Sequence, residues 1–230
     1  MDGKRPDPRH ILAEARRIGL TLDESRAALL ARYCRLLEEW NARLNLVSRK
    51  DIGNLVPGHI MDSLSALPVV KELLGGNAAP RAMDLGSGGG LPGLPLKICY
   101  PNMLLVCVES TRKKAMFLET AIKELGLAGA AIIDKRSREI EKVPEHRGQY
   151  ELVTARAVAP LKDLVRLAFP FLKPGGRLLA FKAARAEREL KEARAVLTKM
   201  NGQLERTIST ASEGSGKKRT ILVLQKMPGQ

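Results

Sequence analysis

Apolar residues recur at helical spacing through the first third of the chain. Residues 10–19 and 23–46 both show the period. The second segment carries it through Leu29, Leu30, Tyr33, Leu36, Leu37, Trp40 and Leu44, with Thr21 or Asp23 available as a cap. A further helix is expected over 59–74, stopped by Gly75-Gly76, and the stretch 75–80 reads as a boundary. This divides the chain into a helical extension, residues 1–78, and a second unit, residues 79–230. Beyond the boundary, short β-rich runs alternate with helical ones over 81–85, 94–100, 103–109, 112–125, 130–135, 151–158, 161–172, 177–182 and 186–200. Alternation of this kind predicts an α/β fold, a mainly parallel sheet covered by helices on both faces. The tail reads as two strands, 202–209 and 219–226, joined by the polar turn Glu213-Gly214-Ser215-Gly216 into a closing antiparallel hairpin.

The first β-run breaks into the glycine cluster Asp84-Leu85-Gly86-Ser87-Gly88-Gly89-Gly90-Leu91-Pro92-Gly93, and the acid Glu109 ends the next run. Adjacent glycines serve where the backbone turns sharply off a strand and must approach a ligand closely. A dinucleotide loop places a third glycine where this chain has Leu91. The order Gly86-x-Gly88-x-Gly90 after Asp84 instead suits S-adenosylmethionine, which has no phosphate to neutralise. Asp84 is expected to meet the cationic methionine end, and Glu109 to accept from the ribose hydroxyls. The plain alternative is a tight strand-to-helix turn with no ligand.

Composition narrows the picture. With 230 residues, 44% of them apolar, the chain can bury one sizeable core with room for an appendage. No signal peptide or membrane-spanning run is read, so no membrane association is expected. Cys34, Cys99 and Cys107 are odd in number and widely spaced, which suits buried free thiols in a cytoplasmic protein. His10, His59 and His146 are scattered, and no metal site is expected. The net charge of +14 is uneven. Residues 1–75 carry 12 basic and 10 acidic side chains, and residues 76–230 carry 27 and 15. The positive field therefore belongs to the part with the glycine loop, as a polyanionic substrate would require, although a basic surface also serves solubility. Aromatics are only 3%, so recognition through phosphates and shape is favoured over stacked bases.

Ligands of an open parallel sheet bind beyond its C-terminal strand ends. Those ends carry Asp84, Glu109-Ser110, Lys135-Arg136-Ser137-Arg138, Thr154-Ala155-Arg156-Ala157 and Phe181-Lys182. Three of the five present a strong base, which a structural core would not tolerate. Arg156 stands amid Val153, Ala155, Ala157 and Val158. Its bland role is a buried ion pair with a helical acid, and its functional role is to hold cofactor or substrate. Lys113-Lys114 could equally contact phosphate or begin a solvated helix. His59 and Asp62, three apart, read as a capping pair ahead of a cofactor-side contact.

The glycine loop through Leu91-Pro92-Gly93, the segment Ala155-Arg156-Ala157-Val158-Ala159-Pro160-Leu161, the run His59-Ile60-Met61-Asp62-Ser63-Leu64 and the Trp40-Asn41 to Asn45-Leu46 stretch closely resemble the small-subunit ribosomal RNA methyltransferase G family, also called glucose-inhibited division protein B. The resemblance covers most of the chain. It implies a class I, Rossmann-like S-adenosylmethionine-dependent methyltransferase fold, seven strands with a C-terminal antiparallel hairpin, behind a helical N-terminal extension. It also implies methylation at N7 of one guanosine in bacterial 16S ribosomal RNA, with the RNA or the small ribosomal subunit as partner; a monomer is expected, although the sequence does not fix the oligomeric state. Carried over by residue, it puts Gly86, Leu91, Ser137 and Arg138 on the cofactor, the last two at its adenine end. It puts Arg156 and Lys182 at the reaction centre, and Lys113, Arg136, Lys182 and Arg219 among basic positions for RNA. Asp84, Gly88, Gly90, Glu109 and Arg156 join the cofactor set. Two departures stand out: Gly89, where the family often has another residue, and Lys135-Arg136-Ser137-Arg138-Glu139 in place of Gly-Arg-Ala-Glu, which leaves two registers for the adenine contacts.

Methylation of N7 removes no proton, so the implied chemistry needs no catalytic base. The lack of Asn-Pro-Pro-Tyr at the fourth strand end argues against the common amino-methylating enzymes, and no cysteine sits where a pyrimidine C5 enzyme needs its nucleophile. Two other readings stay open: a dinucleotide-dependent oxidoreductase, opposed by Leu91, and a non-enzymatic RNA-binding or assembly factor with a vestigial cofactor loop.

Overall fold

The computed structural model describes residues 6–183, 185–211 and 218–228. Helix α1 (Pro8–Arg17) starts where the Asp7 carboxylate accepts from the His10 amide at 2.9 Å and Pro8 has no amide to lose. Asp23 caps α2 (Glu24–Asn41) in the same way, accepting from Arg26 N at 2.7 Å. The helix stops short of Leu46 because the buried Asn41 side chain accepts from the Val47 amide at 2.9 Å and turns the chain back. A 3-10 turn (Arg49–Asn54) and a π-helical turn (Val56–Ile60) lead into α3 (Met61–Leu64) and α4 (Leu67–Leu74). The single helix expected over 59–74 is therefore broken. Pro68 has no amide for the Leu64 carbonyl and its ring opposes helical continuation, so the chain turns at Ser65-Ala66 and restarts with Pro68 in the first turn.

The alternating part is β1 (Arg81–Leu85), α5 (Gly93–Cys99), β2 (Leu104–Val108), α6 (Arg112–Glu124), β3 (Ala130–Ile133), α7 (Ser137–Ile140), β4 (Tyr150–Arg156), α8 (Leu161–Ala168), β5 (Leu172–Lys182), α9 (Ala186–Lys199), β6 (Gly202–Ala211) and β7 (Lys218–Lys226). The seven strands form one sheet in the order β3-β2-β1-β4-β5-β7-β6. The first five are parallel, while β7 runs antiparallel to both β5 and β6. Strand β5 begins at Leu172, earlier than expected, and carries Pro174-Gly175-Gly176 past a shift in its register with β4. The turn expected at Glu213–Gly216 lies outside the described residues.

Side chains alternate between the two faces of a strand, and two hydrophobic clusters follow. Ala82, Leu105, Cys107, Leu152, Leu179, Phe181, Ile221 and Val223 face one cluster together with α1 to α6. Met83, Leu85, Val108, Val153, Ala155, Leu178, Ala180, Leu222 and Leu224 face the other, with α8 and α9. The helices before β1 therefore share a core with the sheet, and this core runs across the 78/79 boundary read from the sequence. The same parity decides which way the strand-end polar residues point.

Candidate active site

The strand order reverses between β1 and β4, and a crevice opens there beyond the strand ends. A cleft of about 370 Å³ is lined by Leu85, Gly86, Val108, Glu109, Ser110, Lys135, Arg136, Ser137, Arg138, Val158 and Leu167. A second pocket of about 320 Å³ is lined by Arg156 to Pro160, Phe181, Lys182, Ala183, Glu189 and Arg219. Val158 is common to both. Its position follows from Ala157, which takes the left-handed conformation (φ 57°) at the end of β4 and turns the chain over Gly86. Gly86 itself has φ 64°, and a Cβ there would meet Val158 Cγ2 at 2.8 Å.

Several predicted residues meet at the cleft. Glu109 accepts from the Gly88 amide at 2.9 Å and from the Thr111 amide at 2.7 Å. It thereby ties the glycine loop to the end of β2, while its carboxylate oxygens keep further lone pairs toward the cleft. Gly86, Ser137 and Arg138 also line this space, and the exposed Arg136 borders it. Lys113 is exposed in the first turn of α6.

Other residues are placed differently from expectation. Asp84 shares its face of β1 with Ala82, so its carboxylate points behind the loop into the core. There it accepts from Thr154 Oγ1 at 2.6 Å and from the Gly93 amide at 3.3 Å, fully buried. Burial pushes its carboxyl up to about 6, against the lowering effect of the hydrogen bonds from Thr154, Ser87 and Gly93. A Cβ on Gly93 would stand 2.8 Å from Asp84 Oδ2, so the Pro-Gly step of the motif makes room for this acid. Gly90 and Leu91 are buried beneath the loop, outside the cleft lining, and Gly88 is half-buried with its amide on Glu109.

Arg156 shares parity with Leu152 and Thr154, so it points toward the N-terminal helices. Its Nη1 donates to Asp62 of α3 at 3.1 Å, which makes the buried ion pair a real part of the site. It still lines the second pocket, beside the cleft expected to hold the cofactor. Lys182, aligned with Leu178 and Ala180, faces the opposite side. Its Nζ meets Glu189 of α9 at 2.8 Å and the Ala159 carbonyl at 2.7 Å. Glu189 also accepts from the Leu161 amide at 2.8 Å, so Lys182 anchors the loop after β4 and is only 9% exposed. Arg219 returns to the Arg156 side, its Nε 3.8 Å from Asp62 Oδ1.

Tyr33 lies on the apolar face of α2, and His59 and Asp62 read as a capping pair. Tyr33 is buried, and its hydroxyl donates to the Gly89 carbonyl, so α2 holds the glycine loop directly. His59 sits in the π-helical turn with Nδ1 buried and unpartnered. Burial, aided by the Arg156 charge, pushes its ring down to about 4. For the His59 and Asp62 contacts the sequence signal is the His59 to Leu64 run itself.

The space fits the implied cofactor. A glycine with no Cβ lines the wall, an acid at the β2 end can accept from ribose hydroxyls, and Ser137 and Arg138 stand at the β3 side. This sheet order, with the cleft at its switch point, is that of the class I S-adenosylmethionine-dependent methyltransferase fold. The chain belongs to the GidB family, rRNA small subunit methyltransferase G, whose model matches residues 26–221. Among curated relatives of that name, the protein of Roseiflexus castenholzii is 40% identical over 81% of this chain and 77% of its own length. That of Geobacillus kaustophilus is 38% identical over 91% and 86%. Solved structures show the same fold at low identity. A Corynebacterium glutamicum protein aligns with TM-score 0.59 and 18% identity, covering 86% of this chain and 91% of its own. A geranyl diphosphate methyltransferase in complex with sinefungin aligns with TM-score 0.53 and 13% identity, covering 70% and 76%.

Proposed function

We propose that this protein transfers the methyl group of S-adenosylmethionine to N7 of a guanosine in bacterial 16S ribosomal RNA. The observation that carries the reading is the pair of adjoining sites: a cleft suited to the cofactor and a cation-walled pocket, with Val158 shared between them. Gly86, Glu109, Ser137 and Arg138 would hold the cofactor, which supplies an activated methyl group. Guanine N7 has an in-plane lone pair, so the protein's work is to align and to exclude water, with no base needed. Val158 and Pro160 supply apolar wall to the second pocket, and Arg156 can donate to the O6 edge or a nearby phosphate. Lys113, Arg136 and Arg138, all exposed, suit phosphate contacts along the RNA. In this reading the protein works as a cytoplasmic monomer. Among the described residues no helix is long and apolar enough to cross a membrane.

The test is transfer of a tritiated methyl group from S-adenosylmethionine to small subunits, and to purified 16S RNA, from a strain lacking the protein. Label on N7 of one guanosine is expected. A cofactor that binds while no RNA or subunit is labelled would overturn the reaction assigned, and label on another atom would overturn the N7 assignment.

A further inference from the structure

Two guanidinium groups from different strands converge on one carboxylate that neither strand supplies. Arg156 ends β4 and Arg219 lies near the start of β7, with β5 between those strands. Asp62 hydrogen-bonds Arg156 Nη1 from α3 at 3.1 Å and lies 3.8 Å from Arg219 Nε, an ion-pair distance that leaves this buried Nε without a hydrogen-bond partner. Its side chain is 2% exposed, so it can answer only to groups inside the fold. Both arginines line the second pocket.

Building on the proposed function, we infer that Asp62 is a positioning residue for the methyl acceptor: it gathers Arg156 and Arg219, aims their remaining donors into the acceptor pocket and holds that wall at one net positive charge. Without the carboxylate the two guanidiniums would repel each other in a poorly solvated space and lose their common orientation. The charge balance matters for this chemistry. N7 methylation moves a positive charge from the sulfonium to the base, so a wall with two uncompensated cations would oppose the product. Lys182 adds no net charge, because Glu189 pairs with it. His59 is neutral near pH 7, its ring facing Arg156, Arg219 and Asp51, with its proton affinity lowered chiefly by burial. The wall thus keeps a single positive charge, enough to attract O6 or a phosphate.

A purely structural role, holding α3 to the sheet, would move stability and every activity together. Single-turnover methylation of 16S RNA at saturating cofactor, with cofactor affinity measured by calorimetry, separates the two. Asp62→Asn is expected to bind S-adenosylmethionine within about twofold of wild type yet to transfer methyl more than about tenfold more slowly. In an Arg156→Gln background the Asp62→Asn change is expected to cost less than it does in wild type, because Asp62 acts in part through that arginine. Asp62→Glu keeps the charge but moves it by one methylene, and is expected to lose more than about threefold in rate at unchanged cofactor affinity. A multiplicative loss in the double variant overturns the inference. So does an Asp62→Glu protein as fast as wild type, even if Asp62→Asn fails to fold. Wild-type protein that binds cofactor but labels no RNA overturns the proposed function itself, a distinct result read in the same assay.

Discussion

Tyr33 of α2 reaches the glycine loop 56 residues further along the chain and donates its buried hydroxyl to the Gly89 carbonyl. Around that bond, a Cβ on Gly89 would come within 3.1 Å of Leu37 Cδ2 and 3.4 Å of Leu46 Cβ. The N-terminal helices therefore shape the proposed cofactor site from behind. Tyr33→Phe leaves a buried carbonyl without its donor, which costs about 1–3 kcal/mol. A lower urea midpoint and weaker S-adenosylmethionine binding are expected together, with RNA affinity unchanged. Calorimetric titration of the variant checks this, and wild-type cofactor affinity would refute the link.

Gly86 and Gly88 both have positive φ, 64° and 55°, but their surroundings differ. A Cβ at Gly86 collides with Val158 at 2.8 Å, whereas at Gly88 the nearest atom is 3.8 Å away. Each alanine substitution pays backbone strain of about 1–2 kcal/mol. Gly86→Ala must also displace Val158, so it should be the less stable of the two and should lose cofactor binding. Equal denaturation midpoints for the two variants would contradict the packing described.

Glu109 accepts from two backbone amides, those of Gly88 and Thr111, at the lip of the cleft. Glu109→Gln turns one acceptor oxygen into a donor facing an amide. Cofactor affinity should fall by at least about tenfold, the worth of roughly 1.4 kcal/mol. Binding measured alongside a thermal melt gives the answer, because a loss confined to stability would remove Glu109 from the cofactor site.

His59 and Asp84 respond oppositely to pH. His59 is pushed from 6.5 down to about 4 and Asp84 from 3.8 up to about 6, chiefly by burial in both cases. Between roughly pH 4 and 6 the unfolded chain holds a proton on His59 that the native state lacks, so this group makes stability rise with pH. Over the same window the native state holds a proton on Asp84 that the unfolded chain has lost, so this group makes stability fall with pH. The two slopes therefore oppose each other. In Asp84→Asn, stability should therefore climb from about pH 4 to 6.5, and in His59→Gln it should decline from about pH 4 to 6. Urea midpoints across this range check both signs, and parallel profiles for the variants and wild type would sink the assignment.

Cys34, Cys99 and Cys107 are free and buried, and burial pushes the first two thiols up to about 12. Thiolate being the reactive form, none should react with maleimide near pH 7 until denaturant is added. Mass spectrometry before and after unfolding gives the count, and rapid labelling of the native protein would contradict the burial.

Whatever depends on neighbours along the chain is legible in the residue string. Helical period, caps at Asp7 and Asp23, the β-run before the glycine loop and the acid closing the next run are local, and local propensity decided them. The family motifs were equally legible, being contiguous strings such as Asp84 to Gly93. The helix expected over 59–74 departs from its period where Pro68 interrupts it and where His59-Ile60 join a π-helical turn. Direction and partnership come from strand register and helix packing. Asp84 and Glu109 are both acids at strand ends. Parity on β1 sends Asp84 into the core against Thr154, while Glu109 stays at the lip of the cleft. Arg156 and Lys182 end neighbouring strands, yet opposite parity gives the first to Asp62 of an N-terminal helix and the second to Glu189 of α9. Such partners lie 94 and 7 residues away along the chain, and only strand register and helix packing bring each pair within hydrogen-bonding distance.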